Sequence, residues 1–398
     1  MKKSVLALAL AATCGVAAQA QEKLDVKMTG RALFDAASYW QNDASEAQDG
    51  KLTDGVAVRD IRVGVKATYG KWLFRGDLSY TNNSVSLKDT YLQYSFQKNN
   101  FLRAGYYTVP FGLSSAYSSA KKEYMDEPEG NVYQVGRRIG VMHTIYNKPF
   151  WGQYGAFADN SALTKSTDKS GRQGYTLAAR GVWRPIMTQD YGFHVGFSWN
   201  RVQAEATAKG KHAAIGYNKR YLTVVDKTVA TGVTLTDARW ENKFTAEFQG
   251  LYRNFQLSSQ YYWSHIAREG GNSYNTDGFY VSARGIVVNP GNYKYNFAGS
   301  GVDNPDNKNL EVMLGYGYLN LRDGDAYAKN KAAIAAGLPG VDLSKAGRMS
   351  DVSVGLSLFP EQVRHLPSQL SLCDGEELRP REEERQRASG PRSVYFLT

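Results

Sequence analysis

Only two cysteines occur in 398 residues, Cys14 and Cys373, so a framework of disulfides is excluded and stability must come from another source. The residues ahead of Cys14, Ala11-Ala12-Thr13, fit a lipid-attachment box poorly. Histidine is scarce as well, with 5 in the chain, and none of His194, His212 and His265 has a Ser or Asp partner at a recognisable spacing. His143 falls on an apolar face and His365 in an anomalous tail, so no catalytic set is expected. No cluster has the spacing of metal ligands, no Gly-rich loop is built to cradle a phosphate, and no nucleic-acid motif occurs, so neither a cofactor nor a nucleic-acid partner is expected. Long hydrophobic runs are missing too. The mean hydropathy is −0.47, and after the leader no stretch approaches the roughly 18 apolar residues of a spanning helix. A membrane role would have to come through strands.

Strands are what the chain supplies in quantity. From Val56 to Gly112 apolar and polar side chains alternate with the period of a β-strand. Ile61, Val63, Val65, Ala67 and Tyr69 oppose Asp60, Arg62, Gly64, Lys66 and Thr68. Trp72, Phe74, Leu78 and Tyr80 then oppose Leu73, Arg75, Asp77 and Ser79, and Thr90, Leu92, Tyr94 and Phe96 oppose Asp89, Tyr91, Gln93 and Ser95. The turns at Tyr69-Gly70-Lys71 and Gln97-Lys98-Asn99-Asn100 are short, as an up-and-down meander requires. A soluble sandwich alternates in the same way. Here, however, the apolar face carries Trp, Tyr and Phe near the ends of the runs and small residues between them, which suits a lipid-facing wall with aromatic girdles. A closed barrel also satisfies every backbone group without disulfides, because it has no edges.

The predicted domains are a signal peptide over 1–20, a transmembrane barrel over 21–360 and an aberrant tail over 361–398. Lys2 and Lys3, the apolar Val5 to Ala12, and Ala18-Gln19-Ala20 make the leader, with cleavage expected before Gln21. Alternating runs at Val26–Tyr39, Arg137–Tyr146, Trp151–Asp159, Tyr175–Trp183, Tyr191–Trp199, Trp240–Phe248, Phe255–Trp263, Phe279–Gly285, Leu310–Tyr318 and Val352–Leu358 bring the count to about fourteen strands. Ser114 to Val135, with Lys121 and Lys122, is expected to cap the mouth or fold inward as a constriction, flanked by Arg137. Val202 to Ala238 is expected to be an outer loop with at most one irregular strand. Polar, Gly-rich loops are expected at Gly270–Thr276, Asn289–Lys308 and Asp323–Arg348. From Glu361 onward alternation stops, Lys disappears and a dense Arg/Glu run follows. Read one nucleotide forward, the tail permits a translation with two amphipathic strands and a terminal Phe. We therefore expect a frameshift, with Glu361 to Thr398 outside the sheet.

The blocks VRDIRVGVKATYGKWLFRGDLSYT, VSLKDTYLQY, LRAGYYTVPFGL and GRRIGV resemble the phosphate-selective porin O and P family of outer-membrane channels. The resemblance covers Val56 to Asn160 well and the rest by strand pattern. It implies an all-β, antiparallel transmembrane barrel of sixteen strands, fourteen of them encoded before the tail. It also implies a trimer in the Gram-negative outer membrane, in contact with lipid and lipopolysaccharide, with basic side chains along an anion path. Arg137 and Arg138 match the family's paired Arg. Asp60, Thr108 and Ser114 stand where relatives often carry Arg, Lys and an acid, so phosphate preference does not follow.

By parity the lumen receives Arg62, Lys66, Arg75, Arg103, Arg138, Arg180, Arg184, Lys243 and Arg284, against Asp60, Asp77, Asp89, Glu241, Glu247 and Glu311. Guanidinium groups in succession can replace part of an anion's hydration shell. The expected function is passive diffusion of small hydrophilic solutes with mild anion preference. Its rival is a plugged barrel with a structural or adhesion role.

Overall fold

The computed structural model describes residues 22–81, 83–116, 124, 132–164, 171–221, 223–269, 271–305, 308–336, 345–359, 366–376 and 392–397. The leader therefore lies outside the described residues. The first strands are β1 (Asp25–Gln41), β2 (Gly55–Tyr69), β3 (Trp72–Thr81), β4 (Ser84–Gln97), β5 (Asn100–Thr108) and β6 (Arg137–Tyr146). They continue as β7 (Phe150–Ala158), β8 (Tyr175–Met187), β9 (Tyr191–Gln203), β10 (Ile215–Arg220), β11 (Val229–Leu235), β12 (Ala238–Tyr252) and β13 (Phe255–Arg268). The chain goes on through β14 (Tyr274–Val288), β15 (Tyr295–Asn296), β16 (Gly301–Val302), β17 (Asn309–Asn320), β18 (Arg348–Phe359), β19 (Leu366–Glu376) and β20 (Arg392–Leu397). All except two short hairpins, β10–β11 and β15–β16, join one closed antiparallel barrel. Fourteen barrel strands precede Pro360 and two follow it, sixteen in all. Among the described residues, no helix is long and apolar enough to cross a membrane.

The tail expected outside the sheet instead contributes the backbone of β19 and β20, with β19 paired to β18 and β20 bridging β19 to β1. Ladder bonds use N–H and C=O groups that nearly every residue carries, so a segment without alternation can still occupy a vacant edge. That closure is partial. β20 has 6 residues and pairs only with Ala37–Gln41 of β1. A strand that crosses the membrane needs about 9 to 11.

The period-two faces hold along most of the barrel strands before Pro360. Val63 and Leu314 face out, 58% and 56% exposed, while Asp77, Glu241, Glu247 and Glu311 are buried on the inner side. Register shifts interrupt the barrel ladder at six places before Pro360, and two of them bear on the argument. Leu33 pairs with Asp60 and Phe34 with Val58, which leaves Arg59 as an extra residue on β2, and its guanidinium turns inward to the carboxylate of Asp35 at 2.8 Å. On β8 the register slips between Trp183 and Ile186, where Pro185 has no N–H to give to the ladder. At the short-turn end the connection between β2 and β3 uses Gly70 at φ +54°, a left-handed conformation natural to glycine.

Three connections depart from expectation. Residues 204–237 contain a regular hairpin, β10–β11, rather than at most one irregular strand. It folds into the long-loop mouth, where Tyr217 stands beside Tyr133 and Lys243 of the wall. The 321–347 connection carries a helix, Gly324–Ala335. The 289–305 connection, at the end where the other turns are tight, enters the lumen. An aromatic core accordingly sits inside the barrel: Phe111, Tyr133, Tyr217 and Tyr262 are buried together, and the Tyr133 and Tyr262 rings stack at 5.3 Å.

The lipid-facing assignment carries a direct test. Leu314 is near the middle of β17, and Leu314→Lys should cost about 2 to 4 kcal/mol in reversible urea unfolding from vesicles, whereas Tyr318→Lys near the rim should cost much less. Equal effects at the two depths would contradict a bilayer around this wall.

Candidate functional site

The inner side of the barrel divides into a packed half and an open half. On the packed half, β8, β9 and β12 place Arg180, His194 and Glu247 side by side. Arg180 Nη2 lies 2.6 Å from Glu247 Oε1, and His194 Nε2 lies 2.9 Å from the same oxygen. The 289–305 connection is fastened here. His194 Nδ1 stands 2.7 Å from the Tyr295 hydroxyl, Arg180 donates to the Ser300 carbonyl, Arg184 to the Phe297 carbonyl, and Trp151 Nε1 to the Ala298 carbonyl. Nearby, Arg284 meets Glu311 at 3.3 Å, and the Tyr293 hydroxyl donates to the same carboxylate at 2.6 Å. Lys243 pairs with Glu241 and donates to the Tyr133 carbonyl. Each cation on this half is buried and engaged with a carboxylate or carbonyls, as a charge in a filled interior must be.

The open half is the wall of β2 to β6. A cavity of about 390 Å³ is bounded there by Arg62, Arg75, Arg103 and Arg137, with Asp89 as the one carboxylate among its lining residues. Tyr91, Tyr107, Gln134 and Gln153 add polar groups, while Pro110, Ser114 and Ser115 come from the inward-folded connection after β5. That connection is pinned by the short helix Gly112–Ala116, whose Gly112 N–H donates to Ser198 of the far wall at 3.0 Å.

The arginines are held at one edge and leave the other toward the space. Arg62 lies 2.9 Å from Asp60, a carboxylate it shares with Arg31. Arg62 Nε has no hydrogen-bond partner among the described residues. Arg75 pairs with Asp77 at 2.7 Å and Arg137 with Asp89 at 2.8 Å. Among the described residues Arg103 reaches no carboxylate; it bonds Gln93 at 2.9 Å and lies over the Tyr91 ring, 4.1 Å from its centroid. A planar guanidinium has five N–H donors, so each of these side chains retains donors for a second acceptor. Among the described residues, no group of three or more His, Cys, Asp or Glu could hold a metal ion.

The profile of the family described as phosphate-selective porin O and P matches residues 26–374. The chain belongs to that family. Its barrel is also similar in fold to solved structures. The anion-selective porin from Comamonas acidovorans superposes with a TM-score of 0.54 at 12% identity, covering 94% of this chain and 98% of that one. Outer-membrane expressed OmpT of Vibrio cholerae gives 0.52 at 12% identity, over 96% and 98%. The high-pH structure of Pseudomonas putida OprB gives 0.52 at 10% identity, over 94% and 92%. At such identities the likeness concerns the fold. No curated protein matches this chain.

Of the residues predicted to line this porin's lumen, Arg62, Arg75, Arg103 and the flanking Arg137 meet at one cavity. Lys66 is exposed on β2 near the short-turn end, and Arg138 is half-buried, donating to the Arg137 carbonyl at 2.9 Å. Arg180, Arg184 and Arg284 stand across the lumen in the packed half. Lys121 and Lys122 lie outside the described residues. Parity reasoning missed Arg31 and the inward turn of Arg59. The signal was present in Arg59-Asp60, two consecutive charges in an alternating run.

Proposed function

We propose that this outer-membrane porin conducts small hydrophilic solutes along the β2 to β6 wall, with a preference for anions. The observation that carries this reading is the cavity with four arginines and one carboxylate on its lining. An anion there meets guanidinium donors that compensate its lost hydration, whereas a cation meets mostly like charge. The anion selectivity of the similarly folded Comamonas acidovorans porin supports the sign of the preference, and the family's description makes phosphate a permeant to try. Asp60, Thr108 and Ser114 argue for a broader anion preference than phosphate alone. Export by the 1–20 leader and a homotrimer complete the proposal, the latter supported by the trimer form of Vibrio cholerae OmpT.

Bilayer recordings test it. Steady ohmic steps are expected, and the combined Arg62→Gln, Arg103→Gln and Arg137→Gln variant should move the reversal potential in a salt gradient toward cation selectivity. At about 1 kcal/mol per charge the permeability ratio falls roughly fivefold for each arginine removed. An unchanged reversal potential would assign these side chains to the scaffold. A folded but silent barrel would favour the plugged, structural reading, for which the inserted β10–β11 and 289–305 segments are the specific observation.

A further inference from the structure

The outer surface carries a feature that the channel does not use. At the long-loop end, the apolar wall finishes in an aromatic tier across β9, β12 and β13, with Phe244 opposite both Trp199 and Trp263. Two residues farther along, the outward tier turns polar. Arg201 is opposite Asn242, Asn242 is opposite His265, and His265 is opposite Asn275, all pointing away from the barrel interior. The Arg201 guanidinium lies over the Trp240 ring, its Cζ 3.8 Å from the ring centroid. Its polar contact is a long one, 3.4 Å to Asn242 Oδ1, and among the described residues it makes no ion pair. Arg239, the bulged residue beside Trp240, is exposed; its backbone carbonyl accepts from Gln203 at 2.6 Å, and among the described residues its side chain makes no ion pair. Asp277 and Asp323 belong to the β14 side, three strands or roughly 14 Å from Arg201, while at the β12–β13 end Asp237 stands beside Arg268 and Glu269 pairs with His212.

We propose that Arg201 and Arg239 form a binding site for a phosphate-bearing lipid headgroup of the outer leaflet, lipid A in chemical class. An aromatic girdle seats a barrel at the interface between acyl chains and headgroups. Side chains one tier above it stand at headgroup level, where a guanidinium pre-oriented on an indole ring can offer two parallel N–H groups to a phosphate. A free anion in solution would have no reason to prefer this outward, girdle-level position over the lumen. The proposal rests on the outer-membrane placement and is independent of the anion path.

The test titrates the full chain, in detergent, with fluorescent bis-phosphorylated lipid A and with the same lipid dephosphorylated. Wild type should bind the phosphorylated lipid at least about tenfold more tightly, and Arg201→Gln with Arg239→Gln should abolish that difference without affecting the dephosphorylated lipid. Arg201→Lys with Arg239→Lys, which keeps charge but not the planar fork, should fall between. Equal wild-type affinity for the two lipids would overturn the proposal. So would an unchanged difference in the Gln variant, or displacement of the lipid by millimolar inorganic phosphate, which would indicate a free-anion site. Because Arg201 points away from the lumen and Arg239 is exposed and lines no part of the cavity, the Gln variant should conduct like wild type. Lipid binding that persists in a barrel without conductance would support this site while removing the channel reading.

Discussion

Glu247→Ala is expected to destabilise the barrel by about 3 to 5 kcal/mol and to loosen the segment that fills half of its lumen. The carboxylate receives Arg180 at 2.6 Å and His194 at 2.9 Å, and all three side chains are buried. Removing it leaves the Arg180 cation without its counter-charge in a site that water does not reach. His194 and Arg180 are also the residues that hold Tyr295 and the Ser300 carbonyl of the 289–305 connection. The variant should therefore show larger single-channel steps and faster proteolytic cleavage within 289–305, together with a lower urea midpoint. Glu247→Gln, which keeps an acceptor and the side-chain shape but loses the charge, should lie between wild type and Ala. A cost below about 1 kcal/mol with unchanged conductance would mean that the pair is solvated and that the segment is held elsewhere.

Truncation after Phe359 is expected to have a still larger effect, the loss of insertion itself. β18 pairs with β19 from Arg348 opposite Glu376 to Leu358 opposite Leu366, and β20 closes onto Ala37–Gln41 of β1. Without them two edges face lipid, where each unsatisfied N–H or C=O costs several kcal/mol. Protease protection in vesicles should disappear. A truncated chain that inserted and conducted would show that the tail has no part in the sheet. The complementary experiment replaces residues 361–398 with the translation read one nucleotide forward after the Pro360 codon. If that frame encodes two alternating strands and a terminal Phe, the added ladder should extend along Asp25–Ala36, which β20 leaves without a partner on that side, and raise the urea midpoint. Early stops in that frame would end the frameshift proposal.

How much was legible from residues alone differs from place to place, for physical reasons. Alternation is a local property of successive side chains, so strands such as Arg137–Tyr146 and the outward faces of β2, β3 and β17 could be recognised without any knowledge of their neighbours. Fourteen strands before Pro360 followed from the same rule. Parity fails where a partner strand forces an extra residue into the ladder, as at Arg59, because a bulge belongs to a pair of strands and not to one. The fate of the tail was illegible for a related reason: backbone hydrogen bonds are nearly indifferent to side chains, so a segment with no pattern can still complete a sheet.

The candidate site shows the same division. The sequence by itself determined the barrel, its lipid-facing wall and the set of basic side chains that point inward, since all three depend on period two and on residue type. Only the tertiary structure decided which of those cations share an open space. Arg62, Arg75, Arg103 and Arg137 face a cavity, whereas Arg180, Arg184 and Arg284 are enclosed by the 289–305 connection. That segment is a polar, Gly-rich loop like others in the chain. Its path into the lumen depends on carbonyls meeting donors more than a hundred residues away, such as Arg184 and Trp151. No local pattern encodes such an encounter, because it depends on how the closed barrel brings distant walls together.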